Sequence, residues 1–569
     1  MTVPPELPWA KKYPASVDWS ATLPVKPLYE ILDDAVGRFP DNSCLDFLGK
    51  RSTYSTVGDQ VARAAKGLQG LGVRKGDRVG LFLPNSPYFV ILYFAALKIG
   101  ATVVNFNPLY AEREIARQIE DSGATVMATI DIPQIYDKLA KMLGATCLQH
   151  IIVCRMVDIL PPILSLLYRI IKRHDIARTP KDDRHTDFFT LLANDGKWGA
   201  VAIDPATDIA VLQYTGGTTG VPKGAMLTHA NLIANVTQSR LSFPGIVDGQ
   251  ERMLGVLPFF HVFAMTAVMN ITVLIGGCLI ILPRFDLKQV VKTIHTKRPT
   301  FFPAVPTIYT AINNYKALGR YNLRSIKFCI SGGAPLPVEV KDAFERLTGC
   351  VVVEGYGLSE TSPVAALNPV EGENKPGSIG LPAPQTYIEI VSLDDRATLM
   401  PIGERGEVCI RGPQVMPGYW HHPEETAGVM DETPAGHRLH TGDVGYMDED
   451  GYTFIVDRIK DMIAAGGFKI YPRNVEEAIY LHPAVEECIV AGVPDEYRGQ
   501  TVKAFIKLRE GQTLTKDALK TFLKDKLSPI EMPKLIEFRD SLPKTLVGKL
   551  SRKMILDEEV ARKSAGPTA

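Results

Sequence analysis

Helix and strand patterns alternate along roughly the first 130 residues, and this alternation limits the folds open to the chain. After Ser55, which can cap a helix, apolar residues recur at three- and four-residue steps from Val57 to Leu71. Strand-like and helical runs then take turns, at 78–83, 88–99, 101–106, 111–121 and 125–130. Strands that alternate with helices build largely parallel sheets that are covered on both faces. The pattern therefore predicts an α/β fold.

The pattern changes in the second half of the chain. The alternation breaks between about residues 155 and 200 and, after the Gly- and Thr-rich stretch 214–224, resumes through residue 365. From Gly377 to about Tyr452 short strand-like runs are separated by Gly and Pro, which predicts a small antiparallel subdomain. From Asp457 onward the helices and strands follow an α+β pattern of their own. We expect a large N-terminal domain, residues 1–457, of two α/β parallel-sheet subdomains plus a small β-barrel-like one, followed by an α+β C-terminal domain, residues 458–569.

The charge balance and the cysteines narrow the class of protein. Lys plus Arg equals Asp plus Glu at 63 each, so the net charge gives no attraction to nucleic acid. The eight cysteines include no C-x-x-C pair, which argues against zinc clusters and a disulfide framework and fits a reducing compartment. The N-terminus carries prolines and an acid where a signal peptide needs a basic and then an apolar segment. We expect a soluble, cytoplasmic protein.

One stretch imitates a membrane span. Val262 to Leu282 has no charged residue over 21 positions, which is long enough for a transmembrane helix. Asn270 and the pair Gly276-Gly277 interrupt it, and the run after the glycines is typical of a strand. We therefore expect a buried helix, a glycine turn and a buried strand.

A second apolar stretch, residues 159–173, has a basic end. It interrupts the α/β alternation and finishes with Arg169, Lys172 and Arg173. It is either an insertion packed on the domain surface or a segment that lies on a membrane, with its basic side chains at the head groups. The second interpretation would place the protein peripherally on the inner face of the membrane.

The loop Tyr214 to Gly224 has the composition of a phosphate-binding loop. It follows a short apolar strand and holds four glycines, three threonines and one lysine in eleven residues. Glycines expose backbone N–H groups, and hydroxyls and an ammonium add further donors, as a polyphosphate requires. The loop is not a Walker A sequence, because Pro222 rather than a glycine precedes Lys223 and Gly224 follows it.

Four further clusters carry polar side chains on glycine-bearing turns. An aromatic ring can stack on a purine, a carboxylate beside phosphate is a natural magnesium ligand, and an acid on a turn can bind a ribose diol. Each cluster alone is a weak signal, and the charge run around Lys460 by itself is more often a solvated surface. The clusters are 354–361 (EGYGLSET), 440–443 (HTGD), 457–461 (DRIKD) and 543–549 (PKTLVGK).

In this order and at these separations, the loop and the four clusters resemble the adenylate-forming superfamily of acyl-CoA synthetases, luciferases and peptide-synthetase adenylation domains. The resemblance covers about residues 25–555. It is greatest to the bacterial long-chain fatty acyl-CoA synthetases, through the segments 104–110, 441–451 and 531–534. It implies an AMP-forming acid–CoA ligase that activates a medium- or long-chain fatty acid through an acyl-adenylate and passes it to coenzyme A.

The resemblance also implies roles for individual residues in binding ATP and Mg²⁺. Thr218 and Glu360 would share the Mg²⁺ ion, Ser359 would touch the α-phosphate, and Asp443 and Arg458 would hold the ribose. The residues implied for the β- and γ-phosphates are Thr215, Gly216, Gly217, Thr218, Thr219, Gly220 and Lys223. Those implied around the adenine and its neighbourhood are Gly332, Gly333, Ala334, Glu354, Gly355, Tyr356 and Gly357.

The two half-reactions are assigned to two loops of a mobile C-terminal domain. Lys549 would bridge the carboxylate and the α-phosphate as the acyl-adenylate forms. Rotation about a hinge at Lys460 would then replace that loop by the segment with Gly467 and Lys469, which leaves a passage for the pantetheine thiol of coenzyme A.

The segment Pro258 to Phe263 resembles the family's acid pocket, with His261, Val262, Phe263 and Gly333 as its lining. An apolar tunnel favours longer chains, since each buried methylene contributes about 0.8 kcal/mol. The sequence leaves other acids open, an α,ω-dicarboxylate or an aryl acid, as well as a catalytically silent lipid-binding protein, against which the presence of Glu360 and Lys549 argues. The expected partners are the acid, ATP and coenzyme A, not nucleic acid, and a homodimer is a further option.

Overall fold

The structure is a computed structural model, and it describes residues 7–215, 222–434, 436–465, 468–495, 498–545 and 550–564, with the backbone alone at 469, 563 and 564. The chain divides into two compact units. Unit 1 comprises residues 1–387 and 410–439, and unit 2 comprises residues 388–409 and 440–569.

The helices carry the labels used from here on. In chain order they are α1 (Glu30–Arg38), α2 (Tyr54–Gly70), α3 (Pro87–Lys98), α4 (Glu112–Ser122), α5 (Pro133–Ala140), α6 (Met156–Ile159), α7 (Pro162–Ile171), α8 (Phe188–Leu191), α9 (His229–Leu241), α10 (Val262–Ala264), α11 (Ile271–Leu274), α12 (Leu287–Lys297), α13 (Pro306–Asn313), α14 (Val338–Thr348), α15 (Pro423–Val429), α16 (Pro472–Tyr480), α17 (Lys516–Leu523) and α18 (Arg552–Ser564). Short 3₁₀ turns lie at Pro8–Lys12, Arg173–Asp175, Leu318–Arg320, Ser359–Thr361 and Ile459–Asp461.

The strands are short and most of them are buried. In chain order they are β1 (Ser43–Phe47), β2 (Lys50–Thr53), β3 (Arg78–Phe82), β4 (Thr102–Asn105), β5 (Val126–Ile130), β6 (His150–Cys154), β7 (His185–Asp187), β8 (Ile209–Thr215), β9 (Lys223–Thr228), β10 (Arg252–Gly255), β11 (Cys278–Ile281), β12 (Phe328–Gly332), β13 (Val351–Gly357), β14 (Val364–Leu367), β15 (Leu381–Pro382), β16 (Tyr387–Val391), β17 (Gly406–Arg411), β18 (Met430–Thr433), β19 (Gly436–Met447), β20 (Thr453–Arg458), β21 (Ile463–Ala465), β22 (Phe468–Ile470), β23 (Val485–Asp495), β24 (Gly499–Leu508) and β25 (Leu535–Phe538).

The first sheet of unit 1 confirms the predicted parallel arrangement. Its strand order is β7-β6-β5-β3-β4-β8-β9, and all neighbours pair in parallel except β8 and β9, which form an antiparallel hairpin. Helix α3 is buried from Tyr88 to Lys98, so apolar side chains cover all of its faces. The predicted helix after Ser55 is α2, but its cap is Thr53, whose side chain accepts from Thr56 N–H.

The second sheet of unit 1 also mixes parallel and antiparallel pairs. It contains β10-β11-β1-β2 and β12-β13-β14-β15, and single bridges at Phe301 connect β10 with β12. Strands β12 and β13 run in parallel, and Gly332 lies opposite Gly355. This pairing places the ends of both strands, with the nucleotide-binding residues implied by the resemblance, at one edge of the sheet.

The charge-free stretch folds as the sequence predicts. Helices α10 and α11 are joined by a π-helix at Met265–Asn270, so the chain is helical from 262 to 274, and strand β11 follows after Gly276-Gly277. Every residue of the π-helix is buried. Among the helices of the described residues, none has the length and apolar character needed to cross a bilayer.

The later strands form two further sheets. The predicted antiparallel region has the order β16-β17-β19-β18, with β20 paired to another part of β19. The last sheet, in unit 2, has the order β22-β21-β24-β23, with β25 parallel to β24, and α16 and α17 pack on it around Val475 and Leu519. The α+β character predicted after Asp457 is confirmed.

Candidate active site

The predicted phosphate loop joins the two strands of the β8–β9 hairpin. Thr215 is the last residue of β8 and lies opposite Lys223, the first residue of β9. The loop residues 216–221, with Gly216, Gly217, Thr218, Thr219 and Gly220, lie outside the described residues. The Nζ atom of Lys223 is 3.8 Å from Oε1 of Glu425 and 5.5 Å from the ring centroid of Tyr419.

Glu360 is held beside this hairpin by a tyrosine that sequence reasoning missed. The hydroxyl of Tyr419 donates to Oε1 of Glu360 at 2.6 Å, and the backbone carbonyl of Glu360 accepts from Met416 N–H at 2.8 Å. Burial, then the Glu360 charge, raise the pKa of Tyr419 above its ordinary value, so the phenol stays a donor. A carboxylate that accepts a hydrogen bond from one neutral donor still has lone pairs that can bind Mg²⁺, so the side chain fits the implied role.

Tight backbone packing shapes the strand ends that carry Glu354 to Gly357. A Cβ atom on Gly357 would lie 1.8 Å from the carbonyl oxygen of Pro363, so only glycine fits there. Tyr356 lies opposite Ala366 on β14 and is half-buried. Oε1 of Glu354 accepts from Leu336 N–H at 3.4 Å, just beyond the exposed Gly333 and half-buried Ala334.

The predicted nucleotide-binding edge and the acyl segment meet at Gly332. A Cβ atom on Gly332 would lie 3.1 Å from the ring of Phe263, so ring and backbone are already in close contact. His261 caps α10, and its Nδ1 accepts from Phe263 N–H at 3.3 Å while the ring is half-buried. Val262 is buried. The structure thus brings together the predicted acid-pocket residues and the start of the predicted adenine-binding segment.

Buried polar side chains fix the helix behind the acyl segment. Gln213 of β8 donates to the carbonyl of Phe260 at 3.0 Å and accepts from Asn105 at 3.0 Å. Thr266 of the π-helix donates to the carbonyl of Ser362 at 2.7 Å, directly after the turn with Glu360. A π-turn inside a helix marks functional sites more often than chance. Here it connects the acid pocket to the turn that carries Glu360.

In unit 2 the two predicted ribose ligands contact each other. Asp443 and Arg458 lie opposite one another on β19 and β20, and Arg458 Nε is 3.0 Å from Asp443 Oδ1. The Asp443 side chain is 4 % exposed and that of Arg458 is 53 % exposed. The sequence placed Asp443 on a turn, but it lies within β19, one residue after Gly442 with its positive φ of 72°.

Glu407, which sequence reasoning missed, supports the backbone before Asp443. One carboxylate oxygen accepts from Gly442 N–H at 2.9 Å, and the other lies 2.8 Å from Nδ1 of His440. Burial alone would raise the pKa of Glu407, but these hydrogen bonds and the charge of Arg396 outweigh it and lower the pKa. The Sγ atom of Cys409 is 3.4 Å from the same His440 nitrogen. These are hydrogen-bond separations, so the cluster holds the strand in place.

The hinge and thioester residues are described only in part. Lys460 is exposed in the 3₁₀ turn Ile459–Asp461. Lys469 lies in β22 with its backbone opposite Ala464. Gly467 and Lys549 lie outside the described residues.

Comparison with known proteins assigns the chain to a family. The AMP-binding enzyme model matches residues 32–420, and the model of the AMP-binding enzyme C-terminal domain matches residues 474–549. A long-chain-fatty-acid–CoA ligase of Bacillus subtilis strain 168 is 45 % identical over 97 % of this chain and 98 % of its own length. The chain belongs to the AMP-binding enzyme family, and the predicted adenylate-forming resemblance is confirmed.

Solved structures agree with this assignment. ATP-bound MatB from Rhodopseudomonas palustris superposes with a TM-score of 0.81 at 27 % identity, over 94 % of this chain and 98 % of that one. A fatty acyl CoA synthetase of Mycobacterium tuberculosis gives a TM-score of 0.71 at 26 % identity, over 94 % and 99 %. The predicted fold class is confirmed by these likenesses.

Proposed function

We propose that this chain is an AMP-forming fatty acid–CoA ligase. The observation that carries the proposal is the contact between Gly332 and Phe263, because it joins a polar edge suited to a nucleotide to a segment backed by a buried apolar helix. The full-length similarity to a long-chain-fatty-acid–CoA ligase supports the same activity. In this reaction the acid displaces pyrophosphate from ATP, and the thiol of coenzyme A then displaces AMP from the acyl-adenylate.

In the first step the residues of unit 1 orient the triphosphate. Thr215, Lys223 and the loop between them bind the β- and γ-phosphates, while Ser359 contacts the α-phosphate. Glu360 and Thr218 would hold Mg²⁺, which would offset the phosphate charge. The fatty acid oxygen attacks the α-phosphorus, the bond to pyrophosphate breaks, and Lys549 stabilises the charge that develops.

The remaining nucleotide contacts follow the same assignment. Gly332, Gly333, Ala334 and Tyr356 frame the adenine, within a segment that includes Glu354, Gly355 and Gly357. Asp443 accepts hydrogen bonds from the ribose diol, and Arg458, its ion-pair partner, fixes the carboxylate. A buried aspartate paired with an exposed arginine is suited to binding the ribose, since the ribose hydroxyls can replace water at the exposed side of the ion pair.

In the second step the C-terminal domain, residues 458–569, rotates about Lys460. The segment with Gly467 and Lys469 then replaces the Lys549 loop and leaves a passage for pantetheine. The thiolate sulfur attacks the acyl carbon, the mixed anhydride bond breaks, and AMP leaves with the bonding electrons. The exposure of Lys460 is compatible with a change of backbone angles at this residue.

A graded series of acids tests the substrate class. We expect kcat/KM to rise by roughly fourfold for each added methylene from hexanoate until the pocket is full, since each buried methylene contributes about 0.8 kcal/mol. AMP release with coenzyme A present is the measurement, with the matching α,ω-dicarboxylates and an aryl acid alongside. A flat or inverse length dependence, or faster turnover of the other acids, would reject the fatty acid as substrate.

A peripheral membrane contact fits the exposed helix α7. Every residue of α7 is at least partly exposed, and the apolar side chains with the largest exposure are Ile163, Leu166, Ile170 and Ile171, at 61 to 76 %. An apolar helix with basic residues at its end lies well at a lipid surface. The enzyme is then cytoplasmic, with residues 159–173 at the inner face of the membrane. A homodimer stays a prediction that a single chain does not test.

A further inference from the structure

One arginine in unit 2 contacts carboxylates from three segments of the chain. Arg552 is the first residue of α18. Its Nη1 lies 3.3 Å from Asp457 Oδ1 and 3.1 Å from Asp461 Oδ2, and its Nη2 donates to Glu476 Oε2 at 2.7 Å. Its Nε donates to the carbonyl of Val490 at 3.0 Å. A single guanidinium therefore joins α18 to β20, to the following turn, to α16 and to β23.

Two of these carboxylates lie on either side of the proposed hinge. Asp457 precedes Lys460 and Asp461 follows it, so Nη1 of Arg552 bridges the hinge turn. The second oxygen of Asp457 accepts from the backbone N–H of Arg473 at 2.7 Å. Asp457 is thereby fixed to both α16 and α18.

The same arginine lies close in sequence to Lys549. The described residues on either side of 546–549 pair with each other: Lys544 and Leu550 form an antiparallel bridge, and Ser551 N–H donates to the carbonyl of Pro543 at 2.9 Å; these residues are called the base of the Lys549 segment. Lys544 also forms an ion pair with Glu487 of β23. The base of this segment is therefore attached to β23 from one side by Lys544 and from the other by Arg552.

Burial of the charged groups in this cluster opposes folding, so the cluster is an inefficient way to stabilise the fold. The side chains of Asp457 and Glu476 are 2 % and 16 % exposed, and burial raises the pKa of each although Arg552 opposes the change. Buried ion pairs often add little net stability compared with apolar packing, whereas they can specify one geometry. A guanidinium specifies such a geometry better than an ammonium does, since its planar group donates to several acceptors at once.

We propose that Arg552 is a positioning residue for acyl-adenylate formation, because it fixes the base of the Lys549 segment to the turn that carries Lys460. The inference rests on the function proposed above. It extends that function to a residue outside the set assigned above to ATP, Mg²⁺ and the acid. A misplacement of a reacting group by about 1 Å can cost about 100-fold in rate, so loosening the base of the segment should act on the half-reaction that uses Lys549.

The two half-reactions, measured separately, test this role. We expect Arg552→Gln to lower acid-dependent ATP–pyrophosphate exchange by about 100-fold, while supplied acyl-AMP is still converted to acyl-CoA within about threefold of the wild-type rate. Arg552→Lys should lower the exchange less, because a point charge keeps part of the cluster. Arg562→Gln is the matched control: Arg562 lies on the same helix, 61 % exposed and 2.9 Å from Glu537, and both half-reactions should be unchanged.

Thermal unfolding and a Lys549→Gln variant complete the experiment. If a folded Arg552→Gln or Arg552→Lys variant loses both half-reactions equally, the arginine serves only to stabilise the fold, and the proposal is wrong. Unchanged ATP–pyrophosphate exchange in these variants would also overturn the proposal. If Arg552→Gln does not fold, the lysine variant decides between these results. Lys549→Gln tests the proposed function separately, because unchanged ATP–pyrophosphate exchange in this variant would reject the role of Lys549. If the exchange is lost in Lys549→Gln but intact in the Arg552 variants, only the inference about Arg552 is rejected.

Discussion

Tyr419 donates a hydrogen bond of 2.6 Å to Oε1 of Glu360, although 59 residues separate the two in the chain. The tyrosine belongs to the short segment between β17 and α15, and the Lys223 ammonium lies over its ring, 5.5 Å from the ring centroid. One phenol therefore contacts the proposed metal ligand and faces the lysine that ends the phosphate loop. It orients a carboxylate whose direction matters for both metal and phosphate binding.

Removing this hydroxyl should weaken metal-dependent catalysis. We expect Tyr419→Phe to raise the Mg²⁺ concentration for half-maximal activity and to lower kcat/KM for ATP by about 10- to 100-fold, as for other groups that orient a metal ligand. The measurement is pyrophosphate release at a series of Mg²⁺ concentrations. Tyr446→Phe is the control, since this tyrosine lies in unit 2 and stacks on Phe454. A Mg²⁺ dependence identical to wild type would contradict the role.

Glu407 should affect ATP binding without touching ATP. In Glu407→Gln the charge that accepts from Gly442 N–H and from His440 is lost, so the backbone before Asp443 becomes less fixed. Since a hydrogen bond to a charged group contributes about 1.5 kcal/mol or more, we expect KM for ATP to rise about 10-fold. KM for the fatty acid should stay the same, as should both constants in Glu432→Gln, whose carboxylate is 81 % exposed. A parallel rise in both KM values would point to general destabilisation.

A buried histidine should make the stability of unit 1 depend on pH. Burial lowers the pKa of His229 from its ordinary 6.5 to about 4, and Nδ1 accepts from Leu28 N–H at 3.1 Å. Below pH 6.5 His229 becomes protonated in the unfolded chain, whereas in the folded chain it stays neutral until about pH 4. The free energy of unfolding therefore falls as the pH drops from 6.5 to about 4. The expected loss is about 3 kcal/mol, and it is complete below the folded pKa.

His229→Asn should flatten this dependence. The amide oxygen can accept from Leu28 N–H and does not titrate, so the variant should lose less stability than wild type between about pH 7 and pH 4.5. Urea unfolding at several pH values is the measurement. His437→Asn should keep the wild-type slope, because that ring is 59 % exposed. An unchanged slope in His229→Asn would show that other groups cause the acid sensitivity.

The proposed site residues that lie within one segment can be predicted from the sequence, whereas those that depend on long-range contacts cannot. Asp443 and Arg458 are predicted because each belongs to a recognisable motif, and the structure pairs them across two strands. Tyr419 and Glu407 carry no such signal: an aromatic residue or an acid in a strand-rich region has many ordinary explanations. Their roles follow from neighbours brought close by folding, which periodicity does not encode.

The details of secondary structure could likewise be predicted only in part from the sequence. The sequence predicted the helix in the charge-free stretch from its apolar run, but a π-helix needs one extra residue per turn, and composition does not reveal this. The cap of α2 differed from the prediction because Ser55 and Thr53 both offer a hydroxyl near the helix start. Only the backbone geometry selects Thr53, whose side chain reaches the third residue along.

Helix α7 offers the sharpest test of the membrane interpretation. In a Leu166→Gln/Ile170→Gln variant the helix loses two of its exposed apolar side chains, each of which contributes about 1.5–3 kcal/mol when fully buried. We expect binding to anionic vesicles to weaken by at least about 10-fold in a sedimentation assay. Turnover of a short, water-soluble acid such as octanoate should be unchanged, because no catalytic side chain is altered.

The matched control is Leu481→Gln, which removes one apolar side chain that is 60 % exposed at the end of α16. Its vesicle binding should equal that of wild type, because a single exposed leucine is ordinary on a protein surface. High salt should weaken the binding of wild type, since Arg169, Lys172 and Arg173 contribute about 1 kcal/mol each near anionic lipid. If the α7 variant sediments with vesicles as wild type does, the helix is not the membrane contact.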